Sequence, residues 1–506
     1  MRERLGVIDL GSNTTRLIVM GYTPHHSFRL MDEVRESVRL VEGASADGRL
    51  QPKPVERAVA TMRLFHNLCA SSGVETIVPV ATSAVREATN QAEFLARVER
   101  EAGLTLRVLS AREEAYYGYL GVVNTLNLSD FFLIDIGGGS TQVTMARGRG
   151  FLRAFSQPVG VVRLTERYVR SDPVSNKDFK ALEAAVAEAF AGLDWLQQSG
   201  ALPSESGTTL AGIGGTIRTL AEIDMKQRRY PLDNVHGYVL QRERLEAQIE
   251  LLRTLNVRQR AELPGISRDR ADLILAGAVI VHQLMRQGGF DSIIVSGQGL
   301  REGLFYERFL VDENPPLFGD MRGFSVQNLA RLYNYEALHA AKVRELALSL
   351  FDQLRPLHGY GDWERTLLGY AATLHDIGLA VSYYDHHKHG AYLIVNAALQ
   401  GFTHREIALM ALIVRYHRKG DVQVGQYRDL LEPDDQQRVA RLAALLRLAE
   451  YLERRKSQVI QGLRVEIGER VLVTTRAVGD ATVEIWDANR GSGLFRKSFG
   501  REIEIV

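Results

Sequence analysis

The sequence is nearly free of cysteine, carries almost no net charge and has no long apolar run. Cys69 is the single cysteine, so no disulfide can form within the chain, and a reducing compartment is expected. Lysine and arginine number 62 against 61 acidic residues, a balance that gives no support to general nucleic-acid or membrane binding. No stretch approaches the roughly 18 uninterrupted apolar residues of a membrane span, and the first residues lack a signal peptide's apolar segment. These absences predict a cytoplasmic protein.

The 506 residues suffice for several domains of about 100–200 residues each. Strand and helix patterns alternate through the first part of the chain and again through the second, which predicts two related α/β lobes with a cleft between them. A helical pattern follows, and then short alternating runs, including one from Thr482 to Trp486, predict a small β unit. The predicted domains are 1–123, 124–308, 309–458 and 459–506.

One short pattern occurs twice. An apolar run ending in Asp9 leads into a turn of small residues at 11–14, and a second run ending in Asp135 leads into a similar turn at 137–141. Each copy predicts a β-hairpin with a carboxylate at the strand end. Such turns bring backbone amides and hydroxyls close to a phosphate, and the aspartate can hold Mg²⁺ or a water. The repeat indicates a duplicated domain that closes on a phosphorylated ligand.

Further residues fit a phosphate site, each with a structural alternative. Arg86 could present its planar fork to phosphate oxygens or pair with a neighbouring carboxylate. Ser110 and Glu113 form a capping box, which leaves Glu114 either as general base for a water or as a favourable charge at a helix N-terminus. The glycine-rich turn at 212–216 is either an anion cradle or a sharp strand-to-helix turn.

These motifs and their order closely resemble the exopolyphosphatase/guanosine pentaphosphate phosphohydrolase (Ppx/GppA) family. The resemblance is strong over residues 1–305, and the helical and β tail resembles its longer members. The motifs, in chain order, are Asp-Leu-Gly-Ser-Asn (9–13), Ala-Thr-Ser-Ala-Val-Arg (81–86), Ser-x-x-Glu-Glu-Ala (110–115), Ile-Asp-Ile-Gly-Gly-Gly-Ser-Thr (134–141), Gly-Gly-Thr-x-Arg-Thr-Leu (214–220) and Ser-x-x-Gly-Leu-Arg-Glu-Gly (296–303). The resemblance implies two lobes of the actin/sugar-kinase/Hsp70 (ribonuclease H-like) α/β fold, an all-α HD-like domain and a small β unit.

The resemblance also implies an activity: Mg²⁺-dependent release of terminal phosphate from inorganic polyphosphate, with Mn²⁺ as an alternative cofactor. By position, Glu114 matches the water-activating glutamate, Asp135 matches a metal- and phosphate-site residue, and Arg86 matches a phosphate-contacting arginine. Asp9 is expected to share the metal with Asp135. Phosphate binding is expected from the turn residues Ser12, Asn13, Thr14, Gly137, Gly138, Gly139, Ser140, Gly214, Gly215 and Thr216. A homodimer is implied, with neither nucleic acid nor membrane as partner.

Gln142 departs from the family pattern, which continues Gly-Gly-Gly-Ser-Thr-Glu at this position. An amide oxygen can coordinate a metal, but it supplies no charge to a hard cation such as Mg²⁺. Two interpretations follow. Either Asp9, Asp135 and the substrate's phosphates hold the metal with Gln142 as a doubtful ligand, which we favour, or hydrolysis is weakened and the lobes mainly bind.

Histidines concentrate in the helical region, between 339 and 417. His375 and Asp376 form the dyad of an HD-type metal phosphohydrolase, and His339 and Glu450 fall where that pattern places its other ligands. Imidazole and carboxylate together suit Mn²⁺, Fe²⁺ or Zn²⁺, so a second metal site is one expectation. The alternative, implied by the resemblance, is a relic domain whose histidines are satisfied core or surface groups.

The favoured function is therefore an exopolyphosphatase. The alternatives are a pppGpp phosphohydrolase, which needs a base-binding pocket, and a non-catalytic regulator that binds polyphosphate or (p)ppGpp. A sugar or acetate kinase of the same broad fold is less favoured, because Glu114 suits the activation of water.

Overall fold

A computed structural model describes residues 2–43, 48–197 and 208–506. The chain divides into two compact units, Met1–Gly319 and Asp320–Val506. Their buried hydrophobic residues form separate clusters, one within each unit.

The first lobe is built around a mixed sheet. Its elements are β1 (Glu3–Leu10), β2 (Thr14–Thr23), β3 (Ser27–Ser37), α1 (Pro52–Ser71), β4 (Thr76–Ala81), α2 (Ser83–Arg86), α3 (Gln91–Ala102), β5 (Arg107–Val108) and α4 (Ala111–Val123). The strand order is β3-β2-β1-β4-β5. The first three strands form an antiparallel meander, whereas β4 and β5 are added in parallel to β1.

The second lobe repeats this plan. Its elements are β6 (Phe131–Ile136), β7 (Thr141–Arg147), β8 (Gly150–Gln157), α5 (Val161–Tyr168), α6 (Asn176–Phe190), α7 (Asp194–Gln197), β9 (Thr209–Ile213), α8 (Gly215–Gln227), β10 (Tyr238–Gln241), α9 (Arg242–Thr254), α10 (Val257–Arg260), α11 (Ile274–Gly288), β11 (Ser292–Val295) and α12 (Leu300–Phe309). The order β8-β7-β6-β9-β11 matches the first sheet in sequence and direction, and β10 adds an antiparallel edge. Two such sheets with helices are the actin-like arrangement, so the predicted fold class is confirmed.

The central strands β1 and β6 explain where the site lies. Both have a buried, largely apolar middle, as a strand covered on both faces requires, and both have an aspartate as the next-to-last residue. Since ligands of open α/β sheets bind beyond the carboxyl ends of the strands, Asp9 and Asp135 lie at the edges expected to bind a ligand.

Close helix packing fixes α4 against α12. A Cβ on Gly303 would lie 1.9 Å from the carbonyl oxygen of Tyr117, and one on Gly121 would lie 2.2 Å from that of Gly299. Such distances are possible only for glycine, so these two positions set how closely α4 approaches α12.

The second unit is helical with a small terminal sheet. Its elements are α13 (Met321–Leu332), α14 (Ala337–Gln353), α15 (Arg355–His358), α16 (Asp362–Leu374), α17 (His386–Asn396), α18 (His404–Tyr416), α19 (Asp435–Tyr451), β12 (Ile460–Ile467), β13 (Val471–Ala477), α20 (Thr482–Gly491), α21 (Gly493–Phe499) and β14 (Ile503–Ile505). The sheet order is β12-β13-β14. Among the described residues, no helix combines the length and apolar character that crossing a membrane requires.

One strand prediction is wrong. The run from Thr482 to Trp486 forms the start of α20. Its apparent alternation is misleading, because Val483 and Trp486 are exposed while Glu484 and Ala488 are buried. That burial follows the helical period of about 3.6 residues, so tertiary packing decides against the local β pattern.

Candidate active site

The two lobes of the first unit enclose an open cleft of about 930 Å³, which both repeated turns reach. In each copy the first glycine amide donates a hydrogen bond to the carbonyl three residues later. Gly11 N lies 3.1 Å from Thr14 O, and Gly137 N lies 2.9 Å from Ser140 O. The repeat in the sequence is therefore a repeat of backbone geometry, and it lines the cleft from both sides.

The two turns pack directly against each other. A Cβ on Gly138 would lie 3.2 Å from the Asn13 amide, and one on Gly139 would lie 2.7 Å from Ser12 Oγ. Ser12 Oγ lies 3.1 Å from Ser83 Oγ. The glycines permit this contact, which brings small polar groups from both lobes to one place.

The third glycine turn reaches the same cleft. Gly214 has a φ of 94°, a left-handed conformation that favours glycine, and it directly precedes α8. Gly214, Gly215 and Thr216 all line the cleft. Because the first amides of a helix lack partners within it, this end of α8 offers donors to an anion.

Glu114 lies in the first turn of α4, and its side chain is 9% exposed. The predicted capping box is present: Ser110 N donates to Glu113 Oε2 at 2.8 Å, and Glu113 N donates to Ser110 Oγ at 3.2 Å. Glu113 therefore closes the helix end, and Glu114 faces the cleft. Burial raises the pKa of Glu114 to about 7, although the Arg86 charge opposes the rise. A carboxyl with such a pKa can accept a proton near neutral pH.

Arg86 forms an ion pair with this same carboxylate. Its Nη1 donates to Glu114 Oε2 at 2.8 Å and to Leu109 O at 2.8 Å. The sequence left Arg86 either as a phosphate ligand or as the partner of a neighbouring carboxylate. In the structure it is paired with a carboxylate, that of Glu114. Arg86 is not among the described residues that line the cleft, so in this conformation it holds Glu114 in position.

Asp9 and Asp135 both line the cleft. Burial, followed by the charge of Asp9, raises the pKa of Asp135 to about 7. Burial likewise raises the pKa of Asp9, whose Oδ1 is buried without a hydrogen-bond partner among the described residues. Two partly buried carboxylates, one of them with a buried and unsatisfied oxygen, are a suitable donor set for a hard divalent cation, so these residues fit Mg²⁺.

Gln142 lies beside Asp135 but does not line the cleft as far as the described residues show. Its Nε2 donates to Ser140 Oγ at 2.8 Å and to Ser156 Oγ at 3.4 Å. In the strand pairing, Asp135 is opposite Gln142 as Asp9 is opposite Arg16. Gln142 therefore supports the turn through Ser140, while its counterpart in the other lobe reaches the cleft.

A group of arginines also lines the cleft: Arg16, Arg218 and Arg270, which are partly buried, and Arg301, which is buried. Burial, with the charges of the other arginines, lowers the pKa of Arg16 to about 8 and that of Arg270 to about 10. Glu33 balances part of this charge, since Arg301 Nη1 donates to Glu33 Oε1 at 2.8 Å. Several cations of one sign lining a single cleft favour the binding of a multiply charged anion.

Sequence reasoning missed these arginines, although signals existed for most of them. Arg218 and Arg301 lie inside motifs quoted for other residues, and Arg16 lies two residues after the first turn. Arg270 has no such signal, because it lies in a short 3-10 helix, Arg268–Arg270, distant in sequence from every motif.

The second unit brings together the residues of the predicted second metal site. His375 Nε2 lies 3.3 Å from His339 Nε2 and 3.1 Å from Glu450 Oε2, and Asp376 Oδ2 lies 3.6 Å from His339 Nε2. Burial alone would lower the pKa of His375, but the carboxylates of Asp376 and Glu450 raise it to about 9. The cluster therefore attracts positive charge, either as protons or as a metal ion.

Comparison with known proteins shows which family models and solved structures this chain matches. Residues 18–311 match the family model described as the Ppx/GppA phosphatase family, and residues 321–473 match that of Ppx/GppA phosphatase, domain III. The crystal structure of the Aquifex aeolicus Ppx/GppA family member is 29% identical, with a TM-score of 0.52, over 62% of this chain and 99% of that one.

Two further solved structures are similar. A structure of the Aquifex aeolicus PPX-GPPA enzyme is 30% identical, with a TM-score of 0.50, over 60% of this chain and 98% of that one. An exopolyphosphatase from Cytophaga hutchinsonii shares the fold, with 24% identity and a TM-score of 0.56 over 61% of this chain and 98% of that one.

Proposed function

Because the chain belongs to the Ppx/GppA phosphatase family, we propose that it hydrolyses the terminal phosphoanhydride bond of inorganic polyphosphate with the help of Mg²⁺. The observation that supports this proposal best is the cleft itself. It combines two apposed glycine turns, four arginines and a glutamate of raised pKa.

The substrate's end phosphates would lie in the cleft, against the two turns that line it. Backbone amides and hydroxyls of residues such as Ser12 and Ser140 would bind the phosphoryl oxygens, as would the free amides at the start of α8. The arginines would bind the phosphates that follow along the chain, since a linear polyanion offers each of them a charge partner. A hydrophobic or neutral substrate would leave most of this positive charge without a partner.

Glu114 would orient the attacking water and accept its proton. The oxygen of that water forms a bond to the terminal phosphorus, the anhydride P–O bond breaks, and the shortened chain leaves with the bridging oxygen. Arg86 favours the charged carboxylate and fixes the position of Oε2, which leaves the rest of the carboxylate to face the water. Positioning a water in line with the bond is the main contribution that a protein makes to such a transfer.

Asp9 and Asp135 would hold the metal. Mg²⁺ bound there would offset the negative charge of the terminal phosphate in the transition state. The chain's own residues fit this role, because burial raises the pKa of both carboxylates in spite of nearby arginines, and a bound cation would favour their charged forms.

Phosphate release from polyphosphate and from pppGpp, measured separately at saturating Mg²⁺, tests the proposal. We expect a kcat/KM at least tenfold higher for polyphosphate. Faster hydrolysis of pppGpp would instead establish the guanosine pentaphosphate phosphohydrolase. If neither is hydrolysed and both raise the melting temperature, the chain is a binding protein and the proposal is wrong.

A further inference from the structure

We propose that the second unit binds two divalent transition-metal ions that share the carboxylate of Asp376 as a bridging ligand. The other ligands are His339, His375 and Glu450 for one ion, and His386 and His417 for the other. The site lies outside the unit that contains the phosphate cleft, so a test of this proposal does not depend on the function proposed above.

The donor atoms already converge. Within each of the two groups, the candidate ligand atoms all lie within 4.8 Å of one another, and Asp376 belongs to both. Its Oδ2 lies 3.6 Å from His339 Nε2 and 3.7 Å from His375 Nε2, whereas Oδ1 lies 3.4 Å from His386 Nε2. Each oxygen of one carboxylate thus faces a different group of imidazoles, which is the arrangement of a bridging ligand.

The ring nitrogens are oriented as metal ligands. His375 Nδ1 donates to Ala372 O at 2.7 Å, and His417 Nδ1 donates to Val414 O at 2.6 Å. A carbonyl oxygen only accepts, so in the neutral rings each Nε2 carries a lone pair toward the cluster. Fixing a histidine through its other nitrogen is the usual second contact of a metal ligand.

Two of the candidate ligand atoms form no hydrogen bond with the described residues. His417 Nε2 and Asp376 Oδ1 are both buried, and neither forms a hydrogen bond with any described residue. The His417 side chain is fully buried, and leaving such acceptors unsatisfied costs about 1–3 kcal/mol each. A cation between the imidazoles and the carboxylate satisfies both atoms at once.

The helices are held together so that the cluster can form. Its residues lie in α14, α17 and α19 and directly after the C-terminal ends of α16 and α18. A Cβ on Gly378 would lie 2.0 Å from His386 O and 2.5 Å from Gly390 N. Glycine at 378, directly after the His375–Asp376 pair, therefore allows the start of α17 to reach the metal ligands.

Lys456 competes for the same negative charge. Its Nζ lies 3.8 Å from Asp376 Oδ2 and 2.6 Å from Glu336 Oε1. A third of the Lys456 side chain is exposed, so it can turn toward Glu336 and solvent when metal binds. Imidazoles combined with carboxylates select Mn²⁺, Fe²⁺, Co²⁺ or Zn²⁺ over Mg²⁺.

The test uses the full-length protein, stripped with a chelator, reconstituted with Co²⁺ and desalted. Metal is counted by mass spectrometry, and the visible absorption of Co²⁺ reports nitrogen ligands. We expect wild type to retain two equivalents more than Asp376→Asn, and His417→Asn to lose one of the two. His389→Asn serves as the control, because His389 lies in α17 but outside both groups, and it should match wild type.

Equal metal content in wild type and Asp376→Asn overturns the proposal, and an undiminished count in His417→Asn overturns the second ion. Far-UV circular dichroism shows whether each variant is folded. If Asp376→Asn is unfolded, the test uses the wild-type protein alone. A Co²⁺ spectrum typical of nitrogen ligands, together with a melting temperature that falls when chelator is added, supports the site. Absence of both refutes it.

Discussion

The ion pair between Glu114 and Arg86 connects the chemistry of the site to its pH dependence. The Glu114 carboxyl is buried, and burial is the main reason that its pKa rises to about 7. Arg86 acts in the opposite direction and keeps the pKa from rising further. The pair therefore sets the pH at which a proton acceptor becomes available in the cleft.

A pH profile tests this role. The ionised fraction of Glu114 increases as pH rises through its pKa, so kcat/KM should increase with a midpoint near 7. Arg86→Gln removes the charge that favours the carboxylate and should move the midpoint to higher pH. Asp135 has a similar pKa, but Arg86 does not contribute to it. A midpoint that stays in place in Arg86→Gln would therefore assign the titration to Asp135.

Gln142 allows a second test at the scale of one residue. Gln142→Glu places a third carboxyl in a buried position next to Asp135, where a charge is costly without a cation. We expect a lower melting temperature than wild type in chelator, and a larger rise on adding Mg²⁺. Ser156→Ala is the control, since it removes a partner of Gln142 without adding charge. Equal responses to Mg²⁺ in Gln142→Glu and wild type would show that this position lies outside the metal's reach.

Helix α4 carries Glu114, and its position depends on the glycine contacts with α12. Gly303→Ala would place a methyl group 1.9 Å from Tyr117 O, so the helices must separate. We expect a loss of about 1–3 kcal/mol in the free energy of unfolding, together with reduced kcat because Glu114 moves. Urea denaturation and phosphate release measure the two effects.

Gly192→Ala is the matched control for that substitution. Among the described residues, no heavy atom lies within 4 Å of the Cβ that it adds, so its effect should stay within about 0.5 kcal/mol. If Gly303→Ala is as stable and as active as Gly192→Ala, the contact between α4 and α12 does not position Glu114.

Most elements were predictable from the sequence because strand and helix patterns agree with burial. The repeated Asp-turn hairpins are such a case, as are the helices that follow Ser110 and Gly214. Thr482 to Trp486 was not predictable, since packing selects the helix there. Arg270 was not predictable as a site residue, because only the fold brings a 3-10 helix far along the chain to the cleft. Four residues of the histidine cluster, His339, His375, Asp376 and Glu450, were predictable as a group, whereas the bridging position of Asp376 required coordinates.

At the scale of the whole molecule, each unit has a hydrophobic cluster of its own. Two solved relatives align over 98–99% of their own length, but the aligned part is only about 60% of this chain. A fragment of residues 1–319 should therefore fold cooperatively and release phosphate from polyphosphate. Thermal unfolding and the phosphate assay check this expectation. A fragment that is folded but inactive would mean that the second unit contributes to the reaction.

The central claim is that Glu114 activates the water that attacks polyphosphate. The most direct measurement is kcat for phosphate release from polyphosphate by Glu114→Gln and by Glu113→Gln. Glu113 is adjacent, but it closes the helix end and contacts Arg107. The account predicts that Glu114→Gln loses about 10²–10⁴-fold in kcat, whereas Glu113→Gln stays within a fewfold of wild type. Equal losses, or a fully active Glu114→Gln, would contradict it.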